Sequence, residues 1–198
     1  MARIHRIVHL PLTKAPTTMK YALTTLCILV LMAAQAQVKV SDDTLHWNAN
    51  RPLEWADFKG EPDKGGMLEG QILCMNIGGF KRQSAHHLTV FKTVSVFDRK
   101  NSWMPENKQT DAGLKYFQVM FNIYELHSRK MREAYALSRT AEDPDVAFKE
   151  KYSQSANERS YDLNMYKAKT KYGMDTTALE TWRIKIDDQL KALAEYEQ

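Results

Sequence analysis

LKYFQVMFNIYELHSRKMR, Leu114 to Arg132, carries apolar residues at helical spacing. Leu114, Phe117, Phe121, Tyr124 and Met131 recur on one face, and Val119, Met120, Ile123 and Leu126 widen that face beyond a single stripe. A helix so apolar is central to a fold rather than laid on its surface. Its charged end, HSRKMRE, is expected to reach solvent. Tyr116, Phe117 and Met120 stand at i, i+1 and i+4, the spacing at which a zinc-peptidase helix carries His, Glu and His.

The stretch before this helix has a different period. In HHLTVFKTVSVF (86–97), Leu88, Val90, Lys92, Val94 and Val96 alternate with Thr89, Phe91, Thr93, Ser95 and Phe97, and the β-branched content argues for a strand. Both faces carry apolar groups, so both are expected to be at least partly covered. EGQILCMNIGGF (69–80) reads as its partner, with KRQSA (81–85) as a hairpin loop after Gly78-Gly79. Upstream, Pro52, Gly60, Pro62, Gly65 and Gly66 make NANRPLEWADFKGEPDKGG (48–66) a loop-rich segment.

Beyond the central helix, Asp143 caps and Pro144 opens a second helix, which is expected to reach Tyr172, where Gly173 supplies a stop. Asp175 or Thr176 then caps a last one through Leu179, Trp182, Ile186, Leu190 and Leu193. The predicted class is α+β, a small antiparallel sheet followed by three helices in a single domain from residue 37 to 198.

Residues 1–36 read as a signal peptide. Lys20 is followed by YALTTLCILVLMAA, an apolar run too short to span a bilayer comfortably, and then by Ala34-Gln35-Ala36, a small-x-small cleavage site. Arg3, Arg6, Lys14 and two prolines before Met19 are not needed by such a signal, so Met19 is an alternative start. Leu26 and the apolar run after Cys27 argue against a lipid anchor there. Four of the 28 basic side chains and none of the 24 acidic ones precede Gln37, which leaves the remainder electroneutral. That removes the compositional case for a nucleic-acid or anionic-membrane partner. The expected location is the periplasm or the cell exterior, with no integral span after cleavage. Cys74 alone remains, so no internal disulfide forms, and its apolar strand marks it as a buried thiol rather than a nucleophile.

Arg51-Pro52-Leu53-Glu54-Trp55-Ala56-Asp57-Phe58-Lys59-Gly60-Glu61-Pro62 resembles the Arg-Pro-Leu-x-Trp-x-Asp-Phe-x-Gly-x-Pro opening of the bacterial domain of unknown function 922 family, a secreted group similar to zinc metallopeptidases. Ser102-Trp103 and Trp182 also fit that pattern. Its helix is written Leu-x-x-His-Glu-x-x-His-Phe-x-Ile-x-Glu-x-x-x-Arg-x-x-Arg. Phe121, Ile123, Glu125, Arg129 and Arg132 keep their places, whereas Gly113 replaces the leading leucine. The resemblance spans essentially the whole chain after residue 36 and implies a zincin-like fold.

The metal-binding core departs from the pattern, with Tyr116-Phe117-Gln118-Val119-Met120 where the family has His-Glu-x-x-His. A neutral phenol is a poor zinc ligand, a thioether prefers softer metals, and a phenyl ring neither ligates nor accepts a proton. A second family segment, Tyr-Asp-x-Glu-Thr-x-His-Gly, here reads Tyr166-Lys167-Ala168-Lys169-Thr170-Lys171-Tyr172-Gly173. Lysines hold both acidic positions and Tyr172 the histidine position. The resemblance therefore implies a vestigial pocket made by Tyr116, Phe117, Gln118, Met120, Lys167, Lys169 and Tyr172, with Tyr116 and Tyr172 near one another. No catalytic residue, metal ligand or cofactor is expected.

Other candidates have plainer readings. His46, His86, His87 and His127 read as surface histidines, since His86 and His87 face opposite sides of a strand and metal sites need convergent ligands. Glu125 and Arg129 form an i, i+4 helix pair, and Arg51 and Asp57 anchor the opening loop. The expected function is a secreted, non-catalytic metallopeptidase-like protein that binds a peptide or envelope protein, or serves as a structural envelope module. The alternative is a secreted peptidase with a relocated or unusual metal site.

Overall fold

The computed structural model describes residues 43–62, 70–81 and 90–198. Strands β1 (Thr44–His46), β2 (Cys74–Lys81) and β3 (Val90–Asp98) form an antiparallel sheet in the order β1-β3-β2. Helices α1 (Asp111–Ser138), α2 (Pro144–Lys169) and α3 (Thr176–Ala192) follow, giving the α+β class expected from the change of period. Residues 1–36, expected to be a signal peptide, lie outside the described residues with His86, His87 and loop residues 82–85, whereas Gly78 and Gly79 fall inside β2, opposite Thr93 and Lys92.

Alternation along β3 sends Phe91, Thr93, Ser95 and Phe97 to one buried face. On the other face Val96 is buried, Val90 and Val94 are half-buried and Lys92 is exposed. Phe97 pairs with Leu45 on one side and Cys74 on the other, and all three join the core. Burial pushes the Cys74 thiol well above its ordinary range, which makes it inert.

Helix α1 packs against β2, β3, α2 and α3, and it supplies Val119, Phe121, Ile123 and Leu126 to the core. Its charged end reaches solvent only in part: Lys130 and Glu133 are half-buried, whereas His127, Ser128, Arg129 and Arg132 are buried. Glu125 Oε1 accepts from Arg129 Nε at 3.1 Å and Arg132 Nη2 at 2.6 Å. The two arginines also donate to the carbonyls of Leu190 and Thr93, tying α1 to α3 and to the sheet. The pair expected on a solvated helix face is thus half of a buried charge network. Burial holds the Arg132 guanidinium below its ordinary value despite the neighbouring Glu125.

Local capping chemistry sets the helix starts. Asp143 accepts from the Val146 amide, Pro144 occupies the first helical position, and Asp175 accepts from the Ala178 amide. Helix α2 stops three residues short of Tyr172, because Lys171, Tyr172 and Gly173 take φ values of 50°, 57° and 88°. Thr170 organises that reversal: its carbonyl accepts from the Gly173 and Asp175 amides.

The opening loop is clamped at Asp57, which is fully buried. Arg51 grips it with both terminal nitrogens, Nη2 to Oδ1 at 2.7 Å, while the Glu54 amide donates at 2.9 Å and Arg99 lies 3.2 Å away. Burial alone would raise this carboxyl, but the Arg51 bonds, the Glu54 amide and the Arg99 charge hold it below its ordinary range. No helix among the described residues is long and apolar enough to cross a membrane.

Candidate functional site

Tyr116, Phe117 and Met120 are 6%, 9% and 7% exposed, buried on α1 where it meets the opening loop, α2 and α3. The Tyr116 ring stacks on Tyr166 of α2, with centroids 5.1 Å apart and planes 18° from parallel. The Tyr166 hydroxyl donates to the Tyr116 carbonyl at 2.9 Å, and its ring meets Trp182 of α3 edge-on. Phe117 packs against Trp55 and Phe58 of the opening loop, centroids 6.1 and 5.5 Å away. The Arg51–Asp57 clamp holds the turn that presents those two rings.

Burial, with the Tyr172 phenol second, pushes the Tyr116 hydroxyl up to about 12, and burial followed by Tyr116 raises Tyr166 further. Both phenols therefore stay protonated at neutral pH and offer no phenolate oxygen to a cation. With a thioether at Met120 and a phenyl at Phe117, this donor set does not fit zinc. Among the described residues no group of three or more His, Cys, Asp or Glu is placed to hold a metal ion.

The remaining positions of the pattern separate. Gln118 faces the opening loop and α1 itself, where its Oε1 accepts from the Leu53 amide at 2.7 Å and its Nε2 donates to Asn122 at 2.8 Å. Lys167 is half-buried and Lys169 exposed. Tyr172 is 71% exposed, carried outward by the left-handed turn. It is Gly173 that touches Tyr116: a Cβ there would sit 2.9 Å from the ring. The space beside Tyr116 is filled by Tyr166, a residue whose importance pattern matching did not isolate, although Leu163 and Tyr166 at i, i+3 mark the buried side of α2.

Of the histidines, His46 is half-buried on β1. His127 is not a surface residue: it is 2% exposed, with Nε2 2.9 Å from Asp162 Oδ2 of α2. Burial and the nearby Lys130 lower its basicity, opposed by Asp162. Beside it runs a second polar group that sequence reading missed. Asn76 Nδ2 donates to Ser95, Ser128 and the Tyr124 carbonyl, and its Oδ1 accepts from Arg159 at 2.6 Å. These residues come from β2, β3, α1 and α2, so no local motif announces them.

Comparison with family models, curated proteins and solved structures finds no match for this chain.

Proposed function

We propose that this protein is a secreted, non-catalytic relative of the zinc metallopeptidases that serves as a peptide- or protein-binding module, or a structural one, of the cell envelope. The carrying observation is the stack of Tyr116 on Tyr166, with Phe117 enclosed by Trp55 and Phe58, where the family resemblance sets its ligands and general base. Side chains there make a packed aromatic core instead of converging lone pairs. The scaffold positions of the same pattern keep structural roles: Arg51 and Asp57 clamp the loop, and Arg129 and Arg132 share Glu125 inside the fold, with Glu197 as the second carboxylate on Arg129.

A binding role draws further support from the sheet. Strand β2 is an edge strand among the described residues and exposes Ile77 and Phe80, so an extended peptide has a backbone ladder to extend and apolar side chains to meet. The reading is tested by incubating the purified protein with one equivalent of zinc, desalting it, and measuring both bound metal and cleavage of a mixed peptide library. No stoichiometric zinc and no chelator-sensitive cleavage is expected. One tightly held zinc per chain with hydrolysis would overturn the proposal.

A further inference from the structure

Helix α2 meets the body of the protein near its two ends. Phe148 close to its start, and Leu163 and Tyr166 close to its finish, are the only buried residues among its 26. Between these footholds lie two cavities. The outer one, about 570 Å³ and partly open to solvent, has an apolar wall of Met131, Ala134, Leu137, Ala147 and Phe148 and a charged rim of Lys130, Glu133, Lys151 and Glu158, a volume in the range of small-molecule sites. The inner one, about 180 Å³, is floored by Asn76, Thr93, Ser128 and Arg159. His127, Met131 and Ser155 line both, so the two share a wall.

Among the described residues at the inner cavity one buried polar atom lacks a hydrogen-bond partner, and one cation lacks a carboxylate. His127 Nε2 is engaged by Asp162, while its buried Nδ1 has no hydrogen-bond partner. Arg159 donates to Asn76 and lies 5.3 Å over the Tyr124 ring, but no carboxylate among the described residues pairs with it. Buried polar groups in native proteins are normally satisfied, and an orphan calls for a missing partner. Water has room in the inner cavity, but the apolar wall of the outer one offers it no hydrogen bonds. An apolar wall with a charged rim, joined to a smaller space where a guanidinium meets only a neutral amide oxygen, is the complement of a molecule with an alkyl tail and an anionic head.

We propose that the cleft between α1 and α2 binds a single-chain amphipathic carboxylate of the fatty-acid class, its head on Arg159 and its chain along Met131, Ala134 and Leu137. The inference is independent of the peptidase-like reading, because the cleft shares no residue with the aromatic cluster around Tyr116. Proton bookkeeping adds a consequence. With Asp162 accepting from Nε2, a neutral His127 presents only a lone pair at Nδ1, which repels a carboxylate. Ligand binding therefore draws one proton onto Nδ1, which then donates to the head group. The charged groups facing this imidazole are Asp162, Arg159, Glu158 and Lys151 from α2 and Lys130 and Glu133 from α1; the sheet contributes only the neutral Asn76 and Thr93.

The test is isothermal titration of the purified protein with dodecanoate and with its methyl ester, both below micelle formation, at about pH 6 and about pH 8. Dodecanoate is expected to bind at one site, with higher affinity at the lower pH, and the ester at least roughly ten-fold more weakly. Arg159→Gln is expected to remove that preference for the acid and Arg159→Lys to restore part of it. Ala134→Trp, which fills the outer chamber, is expected to abolish binding of both, with circular dichroism verifying the fold of each variant. Absence of saturable dodecanoate binding, equal affinity for acid and ester, or undiminished binding by Ala134→Trp would each overturn the proposal.

Discussion

Replacing Phe117 with glutamate, the residue that the peptidase pattern has there, interrogates the aromatic cluster directly. Phe117 is 9% exposed and touches the rings of Trp55, Phe58 and Tyr116. Losing a buried phenyl costs about 3–5 kcal/mol. The introduced carboxyl has no cation among its ring neighbours, so burial raises its pKa in the folded protein above the unfolded value of about 4.3. The charge penalty is then absent below about pH 4.3 and grows as pH rises through the folded pKa. A two-unit rise adds about 3 kcal/mol by pH 8. Urea unfolding of Phe117→Glu and of Phe117→Leu at about pH 4.5 and about pH 8 reads both parts. The glutamate variant is expected to fall further behind the wild type at the higher pH, while the deficit of the leucine variant is the same at both. A glutamate variant as stable as the leucine one, with no pH dependence, would show a hydrated position 117 and refute the packed-cluster argument.

Three further outcomes follow from the same packing and pairing. Glu125→Ala leaves the buried Arg129 and Arg132 without the carboxylate they share, and is expected to cost about 3–5 kcal/mol in urea unfolding; a loss below about 1 kcal/mol would place that network in solvent-like surroundings. Gly173→Ala forces a side chain into a left-handed conformation and against the Tyr116 ring, for an expected cost of about 2–4 kcal/mol and a lower Tm, whereas a neutral result would mean that the turn is not held as described. His127 is less basic folded than unfolded, so the unfolded chain binds more protons in the window below about pH 6.5. Stability is expected to be fully present above that window and to fall as pH drops through the folded value, with a shallower fall in His127→Gln; identical slopes would exclude His127 as the source.

What could be read from the chain and what could not divide along the range of the forces involved. Capping by Asp143 and Asp175, the proline at the first turn of α2 and the alternation along β3 are local effects, and each appeared where the residues placed it. The order of a small sheet and three helices followed from those signals. The burial of the two arginines near the end of α1 is not legible locally because part of their hydrogen bonding is long-range: Arg129 meets the Leu190 carbonyl and Arg132 the Thr93 carbonyl, 61 and 39 positions away. Charge alone argued for solvent; pairing across the fold reversed it. His127 was misplaced for the same reason, its partner Asp162 lying 35 positions along the chain on α2. Around Tyr116, the family spacing points to Tyr172, whose phenol does bear on the Tyr116 hydroxyl, yet that residue stays exposed in the left-handed turn and it is Tyr166 that stacks on the ring. A register on α2 that puts Leu163, Tyr166 and Thr170 inward is visible only once α1 supplies the surface it packs on.

The central proposal, that aromatic and thioether side chains pack the place where the peptidase pattern would put a metal, meets its most direct test in a crystal of the purified protein soaked in zinc. Anomalous scattering at the zinc edge is expected to show no site among Tyr116, Met120 and Tyr166, with the two tyrosine rings still stacked. A fully occupied zinc within about 2.3 Å of side-chain atoms there would contradict it.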